Sequence, residues 1–127
     1  MTIPNIEDLN KFSLSEQAHE KLKQLQQEGH FLEMRDAYRM GIALALSRGI
    51  RPPEIKPPKA SGIYSISQID PDQTIALAIK ILMGTDEQPP YRWAERLAEW
   101  GIEELSKESR NGQINFAKLL SEINNIN

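Results

Sequence analysis

The sequence predicts an all-α fold, a compact bundle of four to five helices, and three observations carry that prediction. Apolar residues recur at helical spacing in five stretches, glycine- and proline-bearing breaks separate those stretches, and the one strand candidate, residues 62–69, alternates poorly. The 127 residues fit a single domain. A chain of that size buries roughly two thirds of its unfolded surface and needs no staple to fold.

Residues 1–12 show no periodicity and read as a loosely held arm. Ser13-Leu14-Ser15-Glu16 is a helix start, with Ser13 as cap and Glu16 reaching back to it. The first helix runs to Glu28 with a narrow stripe of Ala18, Leu22 and Leu25, and Gly29 stops it. A second helix is expected from Leu32 to Arg48. Met34, Tyr38, Gly41, Ile42, Ala45 and Leu46 form one broad face, and Ala37, Met40 and Leu44 cover much of the other. Such a helix belongs at the centre, where its short Ala and Gly side chains permit close approach by a neighbour.

Residues 51–59 hold four prolines, Pro52, Pro53, Pro57 and Pro58, which can neither continue a helix nor pair inside a sheet. They form a stiff, extended connector between two helical halves; a ligand for a proline-reading domain is the alternative. Residues 62–69 are the one strand candidate. With no partner strand in view, an irregular apolar segment fits them equally well. Asp70-Pro71-Asp72 opens a third helix, Asp70 as cap and Pro71 in the first position. Its body, Ile75 to Met83, is interrupted only by Lys80, so this helix is expected to be the most buried. The fourth helix, Tyr91 to Lys107, is strongly amphipathic, with Trp93, Ala94, Leu97, Ala98, Trp100, Gly101, Ile102 and Leu105 on its apolar side. A short fifth helix is capped by Asn115 and packs through Phe116, Leu119, Leu120 and Ile123, and residues 124–127 read as a frayed tail.

Composition narrows the function. The chain has no cysteine, which removes disulfides, thiolate zinc sites and thiol nucleophiles together. Met1-Thr2-Ile3-Pro4-Asn5 lacks the basic start and apolar core of a signal peptide, and the longest apolar run is far short of a membrane span of about 20 residues. A soluble cytoplasmic protein is expected. The net charge of −3 divides into +1 over residues 1–60 and −4 over residues 61–127, so bulk charge exerts no pull toward phosphate.

Chemistry-bearing clusters are scarce. His19 and His30 stand eleven residues apart in different elements, which suits surface side chains rather than a metal site. Capping explains Asp70 and Asp72, and Glu95, Glu99 and Glu103 make a solvated stripe partly neutralised by Arg92 and Arg96. No phosphate loop or nucleophile elbow is present. The reading is of a non-enzyme with no catalytic residue, no metal and no cofactor. Two surfaces are candidates for contact. Arg35, Arg39, Arg48, Arg51, Lys56 and Lys59 could form a strip facing DNA phosphates, against which stands a plainer role as helix-end and linker cations. Trp93, Leu97 and Trp100 share one helix face, where core packing competes with a partner-binding surface. Phe12-Ser13-Leu14 followed by two helices loosely matches a ribbon-helix-helix DNA reader, but only Lys11 is basic in the would-be ribbon.

The run Ala18-x-x-x-Leu22-x-x-Leu25, then Gly29-x-Phe31, then Arg35-Asp36-Ala37-Tyr38 leading into Ile42-Ala43-Leu44-Ala45, resembles a family of small bacterial proteins. These are the Dnd-system-associated proteins of the fourth class, found beside DNA phosphorothioation genes. The resemblance covers residues 17–123, with Arg35-Asp36-Ala37-Tyr38 its most telling part, and includes a glycine-bearing amphipathic helix like Trp100-Gly101-Ile102. It implies a setting in sulfur modification of the DNA backbone, or in the defence tied to it, and no catalytic residues. The expectation is an accessory or adaptor protein that acts through protein partners, with a homodimer favoured. The alternative is a DNA-binding transcriptional regulator using the basic strip.

Overall fold

The structure, a computed structural model, describes residues 7–124. It is 58% helical, with six helices and a small two-stranded antiparallel sheet among the described residues. The chain is therefore mostly helical, as expected, but not all-α. The strands are β1 (Lys11–Ser15) and β2 (Lys59–Ser65), and the helices are α1 (Glu16–Gln27), α2 (Met34–Ser47), α3 (Ile66–Ile69), α4 (Thr74–Leu82), α5 (Pro90–Arg110) and α6 (Phe116–Asn124).

The sheet corrects two expectations together. The missing partner for residues 62–69 is the segment read as the end of a loose arm. Lys11 pairs with Ser65, Phe12 with Tyr64, Leu14 with Ala60 and Ser15 with Lys59, with an irregularity between Phe12 and Leu14. Phe12 and Leu14 are fully buried, because alternation sends both toward the core. Ahead of the strand, Asp8 accepts hydrogen bonds from the Tyr91 and Arg92 amides and so caps the start of α5. Residues 1–6 of the expected arm, and 125–127 of the expected tail, lie outside the described residues. The cap of α1 is Ser15, whose hydroxyl accepts from the Ala18 amide, because Ser13 is committed to the strand. The buried stripe of α1 is Ala18, Leu22 and Leu25, as its spacing predicts.

Helix α2 is central. Its buried side includes Tyr38, Ile42, Leu44 and Ala45, and it crosses α5 where Gly41 meets Gly101. A side-chain carbon on Gly101 would collide with the Gly41 backbone, so the two helix axes approach as closely as their main chains allow. One core joins β1, α1, α2, α5 and α6, with Phe12, Tyr38, Leu97, Ile102 and Leu119 among its members. Tyr38 sits between Phe12 and Tyr64, with ring centroids 5.6 and 5.4 Å away.

Helix α4 overturns its expectation. Only Ala76 and Ile79 are buried, while Leu77, Ile81 and Leu82 face outward. It lies on the rim of the core, packed on α5 by one side alone. Its start also differs, since Gln73 is the left-handed residue before Thr74 and 71–73 form a turn. Asp70 still satisfies the helix start from a distance. Its carboxylate accepts from the Ile75 and Ala76 amides and from the Tyr91 hydroxyl, at 2.9, 3.0 and 2.8 Å. On α6, Asn115 caps as expected, but Leu120 is half exposed instead of packed.

Candidate functional site

The proline connector, residues 51–58, is a strap fastened at both ends. Pro52 and Ile55 are buried anchors, and the Pro58 carbonyl accepts from the Glu16 amide at 3.0 Å. At its start Arg51 donates to the Met83 carbonyl at 3.0 Å and lies 5.3 Å over the Trp93 ring. That contact ties the strap to the end of α4 and to α5. Together with the Asp70 cap, it gives α4 a side-chain hydrogen bond at each end.

That outer face is apolar. Leu77 is 58% exposed, Ile81 73% and Leu82 45%, and Leu77 and Ile81 stand one turn apart on the same side. Fully burying such a side chain is worth about 1.5–3 kcal/mol, and at this exposure roughly half of that is forfeited by each. A second, smaller apolar spot flanks the edge-to-face pair Phe31–Phe116, whose centroids are 5.4 Å apart. There Leu32 is 88% exposed and Leu120 50%.

The expected contact residues are placed otherwise. Trp93 and Leu97 are 3% and 0% exposed, so they are core and not surface, as α5 turns most of its apolar side inward. Trp100 alone of that trio is part-exposed, with the Arg48 guanidinium 5.8 Å over its ring. Four of the six basic residues have partners within the chain. Arg35 pairs with Glu33, and Arg39 donates to the Ile69 carbonyl at 3.0 Å. Arg48 is held by Glu104 and Glu122 at 3.3 and 3.0 Å, and Arg51 is engaged as described. Lys56 is exposed on the strap, and Lys59 opens β2 near Glu95. The would-be ribbon of a ribbon-helix-helix dimer is engaged within the chain as well. β1 pairs within its own chain through β2, and its outer edge is already occupied.

The occupants of that edge are two of the three glutamates read as solvated. Glu95 accepts from the Ser13 amide at 2.8 Å, and Glu99 accepts from the Ser15 amide at 3.0 Å and the Ser15 hydroxyl at 2.6 Å. Glu95 is buried, and burial pushes its carboxyl above the usual range despite the Ser13 amide and nearby Lys59. Glu103 forms an ion pair with Lys21. These carboxylates do structural work, standing in for a third strand. Among the described residues no three His, Asp or Glu side chains gather into a metal-sized group. No family model, no curated protein and no solved structure matches the chain.

Proposed function

We propose that this protein is a non-enzymatic adaptor that works by protein contact, with the outer face of α4 as its docking surface. The observation behind this reading is the pair Leu77 and Ile81, 58% and 73% exposed on a helix anchored at both ends. An apolar row exposed in this way stabilises nothing in the isolated chain, and covering it by a partner is favourable. The occupant is an amphipathic helix of a partner protein. Nine residues of α4 span about 13 Å, which matches one helix laid along it. A second copy is the less suited occupant, because a lasting dimer buries about 800 Å² per partner and this row supplies only part of that. The setting we propose is the DNA-modification or defence system implied by the sequence resemblance.

A photo-crosslinking residue placed at Ile81, with Lys107 as the control position, tests the docking face in cells. The reading predicts a discrete adduct with one other protein from position 81 and none from 107. Leu77→Asp must then weaken the purified pair. An adduct of the chain with itself, or equal labelling from both positions, would contradict it.

A further inference from the structure

The strap bridges a groove of about 470 Å³ on the side of the molecule where β1 passes into α1. Its apolar walls are Pro52, Pro53, Pro57 and Pro58 with Ile55 and the Trp100 indole. Three carboxylates, Glu54, Glu99 and Glu103, line it against a single lining cation, Lys56. Two of the three are fixed in position: Glu99 by the Ser15 amide and hydroxyl, and Glu103 by Lys21. Glu54 is exposed and makes no ion pair among the described residues.

Glu103 is also 3.9 Å from Arg110, so the charge left uncompensated is that of Glu54 and Glu99. An apolar slot with an aromatic wall and these two carboxylates matches one kind of guest. That guest has a hydrocarbon stem to lie on proline rings, a flat cation to meet an indole, and donors to reach carboxylates. We propose that this groove receives an arginine side chain of a partner polypeptide. Guanidinium stacks on tryptophan and pairs with carboxylates through paired donors, which a lysine ammonium cannot do. The chain already uses the same chemistry internally, with Arg48 5.8 Å over Trp100 and Arg51 and Arg96 5.3 and 5.5 Å over Trp93. The rigidity of the strap matters here. Its prolines and its buried Pro52 and Ile55 keep the slot open without the cost of ordering a loop on binding. This site is separate from the α4 face and stands or falls independently of it.

The test is an amide-and-indole NMR titration of the full chain with a blocked Gly-Arg-Gly peptide and with its neutral citrulline counterpart. The chain has two tryptophans, so there are two indole N–H signals to assign, by Trp100→Phe. The arginine peptide is expected to shift the Trp100 indole and the Ile55 and Glu99 amides, with citrulline binding about tenfold more weakly. Glu54→Gln, at an exposed position, is expected to weaken the arginine peptide several-fold while leaving the remaining spectrum in place. Equal shifts from both peptides would show a merely apolar groove and overturn the proposal. Shifts confined to other acidic surface residues, or no shift of the Trp100 indole, would overturn it as well.

Discussion

Glu95 and Glu99 close the free edge of β1 from outside the sheet, each by accepting an amide that a third strand would otherwise have taken. A buried amide left without an acceptor costs about 1–3 kcal/mol; the Ser15 amide is part-buried, so Glu99→Ala is expected to lose about 1 kcal/mol in a denaturant titration. Glu95 behaves differently because its charge is itself a burden, burial having raised its carboxyl. Glu95→Gln keeps an oxygen for Ser13 and removes the charge, and is expected to be at least as stable as the parent at neutral pH. The tyrosines extend the same logic to alkali. Burial pushes Tyr64 up to about 12 from 10, and burial also raises Tyr38 and Tyr91, the last with help from Asp70. The unfolded chain therefore loses its phenolic protons first, and stability should fall as pH rises from about 10 toward 12. Tyrosinate absorbance should rise together with loss of helical circular dichroism; ionisation with the helices intact would contradict this. None of these roles was legible in the residues, because a glutamate every fourth position looks the same whether water or a strand edge lies opposite.

Helices α2 and α5 meet through Gly41 and Gly101, and the two glycines are not equivalent. Gly101→Ala forces a carbon into the Gly41 main chain, which cannot yield without separating the helices, so a loss above about 4 kcal/mol is expected. At Gly41 the added carbon would meet the Ile102 nitrogen at 3.2 Å, a tight fit that costs about 1–3 kcal/mol. Equal losses at both positions, measured by thermal or chemical unfolding, would contradict this account. Helix α4 gives the opposite prediction. Leu77→Asp and Ile81→Asp should each leave stability within about 0.5 kcal/mol of the parent, since neither side chain contributes to the core. Most element positions were legible: the spacing of Ala18, Leu22 and Leu25 predicts the packed face of α1, and the apolar breadth of α2 predicts its central place. The rank of α4 was not, because a helix apolar on all sides reads as buried whether its second face meets a neighbour or water. The sheet was missed for a related reason. β1 alternates cleanly but spans only five residues, Ser13 and Glu16 also fit a helix start, and the partner β2 lies far along the chain, Lys11 pairing with Ser65.

Across the whole molecule, one core is wrapped by helices whose charged residues are largely engaged in holding the fold. Arg48 fastens α6 to α5 through Glu122 and Glu104, and Arg51 fastens the strap to α4. Of the six cations that the sequence offers to phosphate, Arg35, Arg39, Arg48 and Arg51 are engaged within the chain, while Lys56 and Lys59 are exposed. What the fold leaves outward is apolar on α4, and acidic with an aromatic wall beneath the strap. Both are surfaces that the proposed polypeptide partners would cover. The direct test is the dissociation constant of the purified protein with the partner crosslinked at position 81, compared for the parent and the Leu77→Asp/Ile81→Asp variant. The account predicts binding at least tenfold weaker for a variant that is as stable as its parent. An unchanged constant would remove α4 as the docking face.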